Sequence, residues 1–101
     1  MILAHDGISP SIHSSCFLAH DCVIIGNVTI GAESSVWFKA IVRGDINYIR
    51  IGKWTNLQDG CIVHVTGETS PTEIGDYVRW VMELSCMGVR LETAVLSAWE
   101  R

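Results

Sequence analysis

The residues of this 101-residue chain that could do chemistry are few, and they cluster in its middle. Arg43-Gly44-Asp45 places a guanidinium and a carboxylate two residues apart, a combination that forms bidentate ion pairs. Asn56, Gln58, Asp59 and His64 follow within nine positions. They bring two carboxamides, a carboxylate and an imidazole, the last able to bind a metal or carry a proton near neutral pH. Taken alone, a histidine in a repetitive segment is more often a surface residue, and Arg43-Gly44-Asp45 could be a plain turn. His5, His13 and His20 have no such company and are expected to face solvent. The four cysteines contain no Cys-x-x-Cys pair, so a zinc knuckle is disfavoured and a structural role is expected.

The element that must position these residues is set by a period of six. Ile12, Leu18, Ile24, Ile30, Val36 and Val42 are spaced by six, and after a slip of three the series resumes at Ile51, Leu57 and Val63. Four residues after each aliphatic stands a small or slim one: Cys16, Cys22, Val28, Ser34, Ala40, Thr55 and Cys61. Such a period fits a triangular coil. Each hexad is one flat face with its aliphatic inward, and the small residue lets the chain turn. Three faces close a coil of about eighteen residues. Residues 12–63 show neither a sustained helical stripe nor long simple alternation.

The coils should stack Ile12 on Ile30 and Ile51, Leu18 on Val36 and Leu57, and Ile24 on Val42 and Val63. Cys22, Ala40 and Cys61 should form a column of spacers. The slip at residues 43–48 requires three extra residues to bulge from a corner, and loops on rigid scaffolds are where sites are usually built. Residues 66–72, with Gly67, Ser70 and Pro71, read as a protruding loop.

The run Ser35-Val36-Trp37-Phe38, then Arg43-Gly44-Asp45, then Asn56-Leu57-Gln58-Asp59-Gly60-Cys61-Ile62-Val63-His64, resembles the γ-class carbonic anhydrase-like family. The resemblance covers residues 8–78. Some proteins of that family carry hexapeptide-repeat acetyltransferase names. It implies an all-β fold, a left-handed parallel β-helix of hexapeptide repeats, assembled as a homotrimer. It also implies zinc, or another divalent metal, held by three histidines between subunits, with carbon dioxide and bicarbonate as substrates. His64 matches the first ligand, at the end of Gln-Asp-x-x-x-x-His. Asn56 and Gln58 match the amides that orient the metal-bound water or bicarbonate. Arg43 and Asp45 match a pair across the subunit interface, and Asp59 a support for that arginine. A catalytic zinc has three protein ligands and an open position, and it lowers the pKa of bound water to about 7.

The family pattern stops after Val78. The second and third ligands belong to a Gly-His-x-x-x-x-His-Gly segment, and this chain has no histidine beyond His64. Met82 and Met87 are five residues apart, the spacing of the missing pair. An ATG codon preceded by C contains CAT, a histidine codon, one base out of frame, and Val81 and Cys86 both permit that C. Shifted by one base, Arg79–Thr93 can encode Val-Gly-His-Gly-Ala-Val-Leu-His-Gly-Cys-Thr-Ile-Gly-Asp. The chain therefore divides into a β-helix over 1–78 and a divergent tail over 79–101, read as frameshifted near codons 78–79. Within the tail, Leu84, Met87, Leu91, Val95 and Trp99 recur near helical spacing, so a C-terminal helix is an added expectation, weakened by Gly88.

Two of three histidines being absent, the expected hydratase activity is impaired. The alternatives are an acyl-CoA-dependent hexapeptide acyltransferase with His64 as its base, or a non-catalytic remnant that only self-associates. With a net charge of -4 and no basic block, nothing suggests a nucleic-acid partner, and none is expected. No apolar stretch reaches membrane-spanning length, and Met1–Gly7 lacks a signal-peptide pattern, so a cytoplasmic location is expected.

Overall fold

In the computed structural model, residues 1–65 and 71–78 are described, together with two short strands at 85–87 and 90–91. The chain winds as a left-handed parallel β-helix of about three turns. Its strands are β1 (Ile2–Leu3), β2 (Ser11–Ile12), β3 (Phe17–Leu18), β4 (Val23–Ile30), β5 (Ser35–Val36), β6 (Ile41–Ile51), β7 (Asn56–Leu57), β8 (Ile62–His64), β9 (Thr72–Ile74), β10 (Ser85–Met87) and β11 (Arg90–Leu91).

The register follows the hexads. On the first face Ile12 pairs with Ile30, Ile30 with Ile51, and Ile51 with Ile74. On the second, Leu18 pairs with Val36 and Val36 with Leu57. On the third, Ile24 pairs with Val42 and Val42 with Val63. From Ile24 onward these aliphatics are buried and form one core, with Ile12 and Leu18 packed against its lower end. At roughly 25 cal/mol per Å² of apolar surface removed from water, these columns are the main stabilising contribution. Cys22, Ala40 and Cys61 are buried as expected of spacers.

The corners are sharper than the small residues alone would make them. The residue just before the small one takes the left-handed conformation: Glu33 (φ 62°), Lys39 (φ 60°), Trp54 (φ 57°), Gly60 (φ 72°) and Tyr77 (φ 59°). The small residue then tucks inside. At one corner it also donates to the coil above. Cys16 Sγ donates to Gly31 O at 3.0 Å, Ser34 Oγ to Gly52 O at 2.7 Å, and Thr55 Oγ1 to Gly75 O at 2.7 Å. These bonds satisfy carbonyls that a tight turn would otherwise strand.

The slip is a bulge in β6. Gly26 pairs with Gly44 and Val28 with Ile49, so Asn27 alone stands opposite residues 45–48. That is the insertion of three expected at a corner.

No helix occurs among the described residues. Met87 and Leu91, two members of the helical stripe read from the tail, lie instead in β10 and β11. β10 pairs with β8 and β11 with β9, both parallel. The open edge of the coil below supplies these segments with hydrogen-bond partners, which outweighs a helical stripe interrupted by Gly88. The loop read over 66–72 falls largely on residues 66–70, and the rest of the expected helix on the tail, both outside the described residues.

Candidate functional site

Two of the candidate residues share the third face, and Asp45 stands in the bulge that follows it. Arg43 follows buried Val42 in β6 and His64 follows buried Val63 in β8, so alternation turns both outward. They are register partners, and Met87 of β10 is the partner of His64 on the next rung. Arg43 Nε lies 3.3 Å from Asp45 Oδ2 within the same chain, with the arginine half-exposed. Asp45 Oδ1 also accepts from the Ile46 amide at 2.9 Å, which fixes the start of the bulge. The far end is fixed by Tyr48, whose hydroxyl donates to Glu73 Oε2 at 3.1 Å. Arg50 lies over the Tyr48 ring at 5.0 Å and 3.5 Å from the same Glu73 oxygen. The carbonyl of His64 accepts from Thr72 Oγ1 at 2.9 Å, tying the end of β8 to β9.

Asn56 and Gln58 stand on the second face, either side of buried Leu57. The corner Asp59-Gly60 separates them from His64, and Asp59 is exposed there. A single chain thus places Arg43 and His64 on one face, with Asp45 reaching Arg43 from the adjoining bulge, and Asn56 and Gln58 on another. Among the described residues no ion pair joins Asp59 to Arg43, and no group of three His, Cys, Asp or Glu side chains could hold a metal ion.

Sequence reasoning missed a polar chain on the second face. Trp37 Nε1 donates to Ser35 Oγ at 2.8 Å, and Ser35 Oγ donates to Asn56 Oδ1 at 2.6 Å. The signal was present in the period: Ser35 and Asn56 stand one coil apart at the same hexad position. His5, His13 and His20 are exposed, as expected. The thiols of Cys16 and Cys22 are pushed up from the ordinary cysteine value, first by burial, which keeps them protonated and unreactive.

The outer surfaces differ. Beside Arg43 and His64 the third face exposes Ile41 (37%) and Ile62 (43%), and the second face exposes Phe17 (47%). The first face carries the Arg50–Glu73 pair.

No family model matches the chain. Individual proteins do. A Methanocaldococcus jannaschii protein named "Probable carbonic anhydrase" is 47% identical over 79 residues, which is 78% of this chain and 49% of that protein. Gamma carbonic anhydrase 2, mitochondrial, of Arabidopsis thaliana is 43% identical over 75 residues, 69% of this chain and 27% of that protein. The solenoid belongs with the γ-class carbonic anhydrase-like proteins. A Bacillus cereus structure named for acetyltransferase activity superimposes with a TM-score of 0.76 at 34% identity, over 92% of this chain and 51% of that one. The chain spans about half the length, or less, of the γ-carbonic anhydrases it matches. Within that shared part no histidine follows His64.

Proposed function

We propose that this chain is a γ-carbonic anhydrase-like solenoid in which His64 is what remains of a metal site between copies, and that it has little or no hydratase activity. The reaction of its kind is reversible hydration of carbon dioxide to bicarbonate. The observation that carries the reading is the rung Arg43–His64–Met87. Met87 is the register partner of His64 where the family's pattern calls for a histidine. One histidine does not fit a catalytic zinc, which has three protein ligands.

In this reading Asn56 and Gln58 hold and orient bicarbonate from the second face. Arg43, Asp45 and Asp59 serve the contact between copies. The exposed Ile41, Ile62 and Phe17 suit that contact, because two of three outer faces offer apolar area to a neighbour. A homotrimer would bring the second face of one copy to the third face of the next, uniting the two halves of the candidate set. The tail over 79–101 is read in this proposal as the product of a one-base shift. The nucleotide sequence decides it: an alternative frame without both CAT codons at Met82 and Met87 ends the idea. Cytoplasmic residence belongs to the same reading, and the free thiols Cys16, Cys22 and Cys61 suit a reducing compartment.

Stopped-flow hydration with added zinc tests activity. The expected rate is that of buffer. Turnover well above buffer that survives His64→Ala would contradict both the assigned site and its loss.

A second reading, an acyl-CoA-dependent acyltransferase using His64 as base, is favoured by the acetyltransferase name of the superimposed structure. Titration with acetyl-CoA separates the two. Saturable binding that leaves bicarbonate binding absent would favour the transferase.

A further inference from the structure

The motif Ser35-Val36-Trp37-Phe38 has no part in the function proposed above, yet it reaches the site through hydrogen bonds. An indole N–H can only donate. Trp37 Nε1, 2.8 Å from Ser35 Oγ, therefore fills an acceptor position on that hydroxyl. The hydroxyl hydrogen is left to donate, and Asn56 lies 2.6 Å away. That separation is typical of O–H···O and short for a bond donated by an amide nitrogen, so the carboxamide presents its oxygen to Ser35. The indole is itself held. Its ring centroid is 4.8 Å from that of Phe17, on the strand below, and 6.1 Å from that of Phe38.

With Oδ1 engaged, the Nδ2 amino group of half-buried Asn56 has no hydrogen-bond partner among the described residues. It offers two N–H donors. A donor-only position selects what can sit there.

We infer that Trp37 and Ser35 are positioning residues that lock the Asn56 carboxamide with its Nδ2 donors toward the ligand, so that this position accepts an anionic oxygen, as of bicarbonate or another small carboxylate, and rejects a donor group. Without the relay the carboxamide could rotate by half a turn and offer an acceptor instead. The ligand half of this inference rests on the carbonic anhydrase-like reading, whereas the orientation does not.

The test is side-chain amide NMR on the full ¹⁵N-labelled chain, without added metal, followed by titration with bicarbonate. Before titration, the Asn56 Hδ2 protons should show no NOE to Trp37 Hε1. On titration their resonances should shift saturably. Ser35→Ala and Trp37→Phe should each weaken that response roughly three- to tenfold, the scale of one hydrogen bond, and Ser35→Thr, which keeps the hydroxyl, should restore it. The phenylalanine keeps an aromatic ring on Phe17, so a fold defect there would show as general loss of dispersion, and Ser35→Ala then carries the comparison. An NOE between Asn56 Hδ2 and Trp37 Hε1 would overturn the relay. The expected orientation with no bicarbonate response would overturn the ligand assignment, and the use of Asn56 in the proposed function with it, while leaving the relay standing.

Discussion

Gly26 and Gly44 sit on adjacent rungs where no side chain fits. A Cβ on Gly26 would lie 2.3 Å from Gly44 O, and one on Gly44 would lie 2.6 Å from Asn27 O. Gly26 also holds a φ of +80°, which L-residues avoid. The bulge carrying Asp45 begins at this contact. Gly44→Ala is therefore expected to cost about 2 kcal/mol or more by forcing backbone apart, read as a fall in the urea midpoint. The raised thiol pKa values of Cys16 and Cys22 carry a sign of their own. The folded chain binds the thiol protons more tightly than the unfolded chain does. Their contribution is fully present below the ordinary cysteine value of about 8.5 and is lost as pH rises past it toward the folded values. A pH series of urea midpoints checks this. The expected decline above pH 9 should be smaller in Cys22→Ala, measured against that variant's own neutral-pH midpoint.

At the scale of elements, spacing by six was enough to read three aliphatic columns and their register from Ile12 to Val63. An aliphatic at every sixth residue has one geometric solution once each face buries its centre. The bulge was legible for the same reason, because a slip of three must leave the ladder. What spacing could not show is how corners close. The hydroxyls of Ser34 and Thr55 look like mere small residues in sequence, yet both bond carbonyls one coil up, and Thr55 N in turn donates to Ser34 Oγ at 3.1 Å. Ser34→Ala and Thr55→Val should each cost about 1 kcal/mol in denaturation, since a partly buried carbonyl loses its donor in both. The tail was misread as helix over Met87 and Leu91 because a 3.6-residue stripe carries no information about a waiting strand edge. That edge places Met87 on the rung beside His64. Met87→His is therefore expected to strengthen zinc binding at least about tenfold over the wild-type chain, as two imidazoles on neighbouring rungs can share one ion. Calorimetric titration reads the change, and an unaltered affinity would show that the rung does not bring position 87 to His64.

For the whole molecule, candidate residues could be named from the sequence one by one but not placed relative to one another. Asn56 and Gln58 project from one face and Arg43 and His64 from another, so spacing along one chain could not place them together. Their separation across the Asp59-Gly60 corner is what makes a second copy necessary to the proposed site. Apolar residues exposed on both of these faces, against a charged first face, point the same way. Self-association alone would not distinguish an enzyme from a remnant, since burial of the exposed Ile41, Ile62 and Phe17 would favour it in either case. Metal retention does. A carbonic anhydrase-like solenoid with an incomplete metal site should not retain zinc, and zinc content after loading and exhaustive dialysis measures this. The expected result is no stoichiometric zinc in the wild-type chain. One ion per chain that withstands dialysis and disappears in His64→Ala would contradict it.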